Sequence, residues 1–148
     1  MMEIIEVIEN KKAYIELLLL ADEQEEMIDR YLDKGKMYVV DDNGIKCECV
    51  VTDMGNGVLE IKNIATLPEY QGKGYAKVMI DFIIKKYREE YSILQVGTWD
   101  SPLTIPFYEK CGFVRSHIIL NFFTDNYNHP IYEGGIRLVD MVYLKRVL

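Results

Sequence analysis

The chain has 148 residues, 49% of them hydrophobic and 28% charged, with a formal net charge of −7. These values describe one ordinary globular domain spanning 1–148, large enough to bury a core without disulfides or a metal. They argue against a nucleic-acid partner, modestly favour cationic partners, and leave no stretch near the roughly 18 apolar residues of a membrane span, so no membrane partner is expected.

The opening segment MMEIIEVIENKK lacks the basic start and apolar middle of a secretory signal, so no export and a cytoplasmic location are expected. Residues 3–10 fit a first strand. Residues 11–35 carry apolar pairs at Leu17/Leu18, Met27/Ile28 and Tyr31/Leu32, a three-four spacing that predicts two helices broken near Ala21 and Asp22. Residues 36–67 read as three strands of an antiparallel meander. Their turns fall at Asp42-Asn43-Gly44 and Gly55-Asn56-Gly57, where Asn-Gly supplies the positive φ of tight hairpins. A helix over 73–90, a strand over 92–98, a helix over 104–110 and two long strands over 114–122 and 136–145 complete the order β-α-α-β-β-β-α-β-α-β-β.

Cys47, Cys49 and Cys111 are odd in number and lack a familiar metal spacing, and only two histidines accompany them. Reduced thiols and no metal site are expected. His117 in a strand and His129 in a loop are expected to be packed or exposed.

The segment TLPEYQGKGYAKVMIDFI sets two glycines and a lysine in a turn between a strand and a helix. Such a turn presents unpaired backbone N–H groups and the positive end of a helix dipole, which together hold anions, phosphates above all. The dinucleotide fingerprint fails because Lys77 stands where its third glycine belongs, and the spacing of a P-loop is also absent. A plain turn with Gly72 and Gly74 present for backbone freedom is the competing reading.

The form Gln71-Gly72-Lys73-Gly74-Tyr75-Ala76 resembles the Q/R-x-x-G-x-G/A motif of the GNAT superfamily, the acetyl-CoA-dependent N-acetyltransferases. About 35 residues on, Pro106-Phe107-Tyr108-Glu109-Lys110-Cys111-Gly112-Phe113 resembles the family's second hallmark, a helix ending in FYEKxGF. The resemblance covers nearly the whole chain. It implies an α+β, three-layer GNAT fold, with a central mixed, mostly antiparallel sheet of about seven strands flanked by helices. The tail NFFTDNYNHPIYEGGIRLVDM is similar to a branch of uncharacterised bacterial members.

The chemistry implied is acyl transfer from the thioester of acetyl-CoA to an amine. The cofactor's pyrophosphate is expected on backbone N–H groups of Gln71, Gly72, Lys73, Gly74, Tyr75, Ala76 and Lys77, with added charge from Lys73 or Lys77. By resemblance, the pantetheine arm runs along Ile64, Ala65 and Thr66, where a fixed N–H would also stabilise the developing oxyanion. Tyr108 is the candidate proton donor to the leaving thiolate, whose parent thiol titrates near about 8.5. Glu60 is the candidate base for an attacking amine with a pKa near about 10.4, either directly or through a water. The fifth strand has Gln95, which does not ionise, at the family's other base position. Ser101 follows Asp100 where the family usually has asparagine; either one contacts the cofactor, or both cap the helix beginning near Pro102. Cys111 has no histidine near it in sequence and reads as structural.

Tyr127, Tyr132, Glu133 and Asp140, with Glu23, Glu25 and Glu26, form a candidate acidic, aromatic rim for a cationic acceptor. They read equally as solvated faces and core tyrosines. The expected activity is N-acetylation of a primary amine on a small molecule. The alternatives are acetylation of a protein N-terminus or lysine, and a non-catalytic acetyl-CoA sensor. A homodimer is allowed but not required.

Overall fold

The computed structural model describes residues 2–148. Seven strands form one twisted sheet: β1 (Met2–Val7), β2 (Lys36–Asp42), β3 (Ile45–Gly55), β4 (Val58–Thr66), β5 (Ile93–Thr98), β6 (Val114–Ile119) and, last in the chain, β9 (Met141–Val147). They lie in the order β1-β2-β3-β4-β5-β9-β6. Only β4 and β5 run parallel; every other neighbouring pair is antiparallel. The mixed, mostly antiparallel sheet of the expected fold class is therefore present.

Alternation along β3 assigns the two faces. Cys47, Cys49 and Val51 belong to a core shared with α3 (Tyr75–Tyr87) and α4 (Thr104–Lys110). Val50 packs on the opposite side, with Leu18 of α1 (Ile15–Leu18) and Ile28 of α2 (Glu25–Asp29). The result is three layers. On α3 the buried positions are Met79, Ile80, Ile83, Ile84 and Tyr87, a three-four stripe that lays one face of the helix on the sheet. Each such side chain contributes about 1.5–3 kcal/mol on burial, so the stripe fixes where the first turn of α3 points.

The two early helices form with their break at residues 19–24, as the apolar pairs predict, but they are short. The C-terminal region departs from expectation. In place of a strand over 114–122, β6 stops at Ile119, because Asn121 adopts a left-handed φ of 58° and its N–H donates to the Asp140 carboxylate at 2.8 Å. The chain then forms α5 (Phe122–Asn126). In place of one strand over 136–145 there is a small hairpin of β7 (Tyr132–Glu133) and β8 (Ile136–Arg137), turned by Gly134 and Gly135 at positive φ; β9 follows separately.

Glu48 is fully buried on β3, and among the described residues neither of its carboxylate oxygens has a hydrogen-bond partner. Burial pushes its carboxyl well above the ordinary carboxylate range.

Candidate active site

The site begins where β4 and β5 part. Their parallel pairing covers only Val58–Ile93 through Ile61–Val96, whereas β3 stays paired with β4 as far as Thr66 and β9 stays paired with β5 as far as Thr98. Beyond Ile61 the sheet is therefore split. Residues 62–66 keep one edge on β3 and turn the other, with no β5 partner, into the gap. A bulge at Lys62 sharpens the split: Val50 faces Asn63 and Val51 faces Ile61, which leaves Lys62 as the extra residue. The cleft opening from this gap measures about 750 Å³, and both Tyr108 and Glu60 line it. A volume of this order suits a small molecule.

Beside the split, a tight helical turn (Pro68–Tyr70) leads into the glycine turn and α3. Gly72 and Gly74 have φ values of 79° and 90°, and a Cβ on either would meet nothing within 4 Å. The first intrahelical bond runs from the Val78 N–H to the Gly74 carbonyl, so the amides of Tyr75, Ala76 and Lys77 have no partner within the helix. The side chains of the turn are committed elsewhere. Gln71 Nε2 donates to the Thr66 carbonyl at 3.1 Å, Tyr75 Oη donates to Asp42 at 2.7 Å, and Lys77 pairs with Asp81 at 2.8 Å. Lys73 Nζ lies 5.4 Å from the centre of the Tyr70 ring. What remains is a set of backbone amides without helical partners at the N-terminus of a 13-residue helix, next to two glycines whose Cβ positions are open, an arrangement that fits a pyrophosphate.

Tyr108 projects from α4, its ring buried edge-on between Phe107 and Phe113. Its hydroxyl makes no hydrogen bond among the described residues. Burial foremost, then the neighbouring Cys49, Cys111 and Glu48, pushes the phenol far above its ordinary value. The phenol is therefore held in its protonated form near neutral pH.

Glu60 is buried beside the split. Oε1 accepts from Gln95 Nε2 at 2.5 Å, and Oε2 accepts from Tyr143 Oη at 3.2 Å and pairs with Lys62 at 2.8 Å. A carboxylate offers about four acceptor positions, so one remains for an incoming amine or its water. Tyr143 reaches Glu60 because it lies opposite Gly97 on β5, where an added Cβ would sit 3.0 Å from the phenol ring.

Ser101 is buried, and its Oγ accepts from the N–H groups of Leu103 and Thr104 at 3.2 and 3.1 Å. That is a capping geometry for α4. Asp100 instead pairs with Arg115 at 2.9 Å. The half-buried Cys111 thiol is pushed up by desolvation, which makes it a poor nucleophile.

The acceptor wall differs in part from the expected rim. Tyr127, Glu133 and Glu23 do line the cleft. Glu25, by contrast, pairs with Lys12, Asp140 receives the Asn121 amide, and Tyr132 is exposed. Four wall residues carry no motif in the sequence. Asp22 receives Tyr127 Oη at 2.6 Å and Tyr31 Oη at 3.2 Å, Asn63 donates to Tyr31 Oη at 3.0 Å, and Trp99 Nε1 donates to Glu133 at 2.7 Å. Of the two histidines, His117 is stacked on Tyr143 with ring centres 4.6 Å apart, and His129 is exposed, 4.0 Å from Glu23.

A sheet split between parallel strands, unpaired helix-start amides beside it and a phenol and a carboxylate lining the cleft form a geometry compatible with acyl transfer. Comparison with known proteins agrees. A family model for the acetyltransferase (GNAT) domain matches residues 33–115. The uncharacterized N-acetyltransferase YvbK of Bacillus subtilis (strain 168) is 33% identical over 132 residues, 87% of this chain and 85% of that protein. A GNAT family acetyltransferase from Elizabethkingia anophelis, solved with acetyl-CoA bound, superposes with a TM-score of 0.94 at 35% identity, covering 99% of this chain and 98% of that one. An IAA acetyltransferase from Bacillus cereus ATCC 14579 superposes at 0.91 with 31% identity over the full length of both chains. The chain belongs to the GNAT acetyltransferase family and is an acyltransferase of the N-acetyltransferase type.

Proposed function

We propose that the protein transfers the acetyl group of acetyl-CoA to a primary amine of a small molecule by direct attack, with no acyl-enzyme. The observation that carries this reading is the convergence of Tyr108 and Glu60 on one cleft at the β4–β5 split, next to the cradle of Gly72 and Gly74. The fit of that cradle to a pyrophosphate supports acetyl-CoA, which also occupies the Elizabethkingia relative; when bound, it supplies the activated acetyl thioester. The backbone amides of 72–77 hold the phosphates. The unpaired edge at Ile64, Ala65 and Thr66 lies alongside the amide-bearing arm, and an N–H there faces the carbonyl oxygen as charge grows on it. Glu60 draws the proton from the attacking nitrogen, directly or through a water, and Gln95, Tyr143 and Lys62 hold it in place. Tyr108 gives its proton to the departing sulfur.

The contacts Trp99–Glu133 and Tyr127–Asp22 tie the walls of the cleft together, which favours a small acceptor over a polypeptide. All three cysteines are unpaired, and this supports a reducing, cytoplasmic setting.

Glu60→Gln is expected to lower kcat near neutral pH by about 10²–10⁴-fold, the usual weight of general-base catalysis, while acetyl-CoA affinity stays nearly intact. The loss should shrink as pH rises and the amine deprotonates unaided. A pH–rate profile with calorimetric titration of acetyl-CoA decides it: wild-type turnover at neutral pH removes Glu60 from the mechanism.

A further inference from the structure

Asp22 stands on the wall of the acceptor cleft, at the break between α1 and α2, and the acetyl-transfer steps make no use of it. We propose that its carboxylate is a subsite for a second positive charge on the acceptor, so that the preferred acceptor is a small molecule carrying two amino groups; this rests on the amine-acetylating reading above.

The Asp22 carboxylate is half-buried, and the phenols of Tyr31 and Tyr127 each donate to one of its oxygens. Both are neutral donors. Among the described residues Asp22 makes no ion pair, although desolvation already works against its charge and raises its pKa. No cationic side chain among the described residues is paired with it directly: Lys62 pairs with Glu60, Arg30, whose charge favours the ionised Asp22, donates to Asn126 Oδ1 at 3.3 Å, and Lys34 lines the same cleft. Each carboxylate oxygen has a further lone pair for a ligand. A partly desolvated carboxylate held by neutral hydrogen bonds, with no directly paired cation, gains from an ammonium placed against it.

A buried amide is joined to the same carboxylate through Tyr31. Asn63 lines the same cleft and is 3% exposed, yet its Oδ1 has no donor among the described residues. Its amide orientation is fixed. Nδ2 donates to the Leu18 carbonyl and to Tyr31 Oη, both at 3.0 Å, and a flip would set Oδ1 against the Leu18 oxygen. Through Tyr31, Asn63 and Asp22 belong to one hydrogen-bonded chain. This stretch of wall therefore offers the Asp22 carboxylate, held by two neutral phenols, and an ammonium is a group made only of donors. The Tyr127 ring, stacked on Phe123 with centres 5.8 Å apart, adds an aromatic face suited to a cation. An acceptor with a carboxylate in place of the second amine would meet repulsion here.

The test compares α,ω-diaminobutane, butylamine and ω-aminobutanoate as acceptors with wild-type enzyme and with Asp22→Asn. Diaminobutane should exceed butylamine in kcat/KM by about 10- to 100-fold, the weight of a hydrogen bond to a charged group, with the difference carried mainly by KM; aminobutanoate should be the poorest. In Asp22→Asn the ratio of diaminobutane to butylamine should fall toward one, with the melting temperature and acetyl-CoA titration confirming a folded protein. Trp99, the sole tryptophan, lines the cleft, so diaminobutane binding to the CoA complex can also be read by its fluorescence, independently of turnover. If no amine is acetylated but diaminobutane binds the wild type and not the variant, the subsite stands and the transfer reading falls. If butylamine or aminobutanoate matches diaminobutane in the wild type, or the ratio survives in a folded Asp22→Asn, the subsite is overturned while acetyl transfer stands. Should the variant fail to fold, the wild-type ranking alone decides.

Discussion

Tyr108→Phe is expected to lower kcat by about 10²–10⁴-fold, with folding and acetyl-CoA affinity unchanged. The ring stays wedged between Phe107 and Phe113, so the packing of α4 is kept and only the hydroxyl is lost. That hydroxyl has no protein partner among the described residues, and burial keeps it protonated, so it is free to donate into the cleft. Its help is realised only as the C–S bond breaks, which places the loss in kcat rather than in binding. Steady-state kinetics with a calorimetric acetyl-CoA titration check this. A loss within about tenfold would mean the thiolate departs unaided and would return Tyr108 to a packing role.

Gly74→Val is expected to abolish acetyl-CoA binding in a protein that still folds. Gly74 has a φ of 90°, so a β-branched residue there is strained by about 1–3 kcal/mol, a tolerable loss for a domain of this size. The larger effect is steric. A Cβ at Gly74 meets no protein atom within 4 Å, and Gly74 directly precedes the amides of Tyr75, Ala76 and Lys77, which have no partner within the helix. Side-chain atoms placed there keep phosphates away. Hydrogen bonds to a charged group contribute about 1.5–3 kcal/mol each, so losing two or more lowers affinity by at least about a hundredfold. Acetyl-CoA should then no longer raise the melting temperature. Full thermal stabilisation of the folded variant would move the phosphate site elsewhere.

What the sequence discloses here is what local rules control. The stripe from Met79 to Tyr87 follows from helical period. The hairpins at Asn43-Gly44 and Asn56-Gly57 follow from the positive φ that both pairs adopt, and the glycine turn from its position before α3. The C-terminal strands are misjudged for the same reason: the apolar residues Ile118, Ile119, Leu120 and Phe122 extend a strand pattern, and nothing local announces that Asn121 turns left-handed to meet Asp140. Tyr143 joins Glu60 across 83 positions, and Tyr127 joins Asp22 across 105. Neither contact leaves a mark on spacing. Gly97 lies within the expected strand over 92–98 with no local sign of its role, although an added Cβ there would sit 3.0 Å from the Tyr143 ring. Tyr108 and Glu60 are candidates through the motif and the strand position they share with a family, whereas the residues that hold Glu60 are visible only once the sheet is assembled.

The most direct test of the account is release of CoA from acetyl-CoA in the presence of a panel of small primary amines, with the acetylated amine identified by mass spectrometry. The account predicts amine-dependent release, with one N-acetylated product formed for each CoA. Tight acetyl-CoA binding with no release across polyamines, aminoglycosides and amino acids would contradict it and leave a binding protein that senses acetyl-CoA without turning it over.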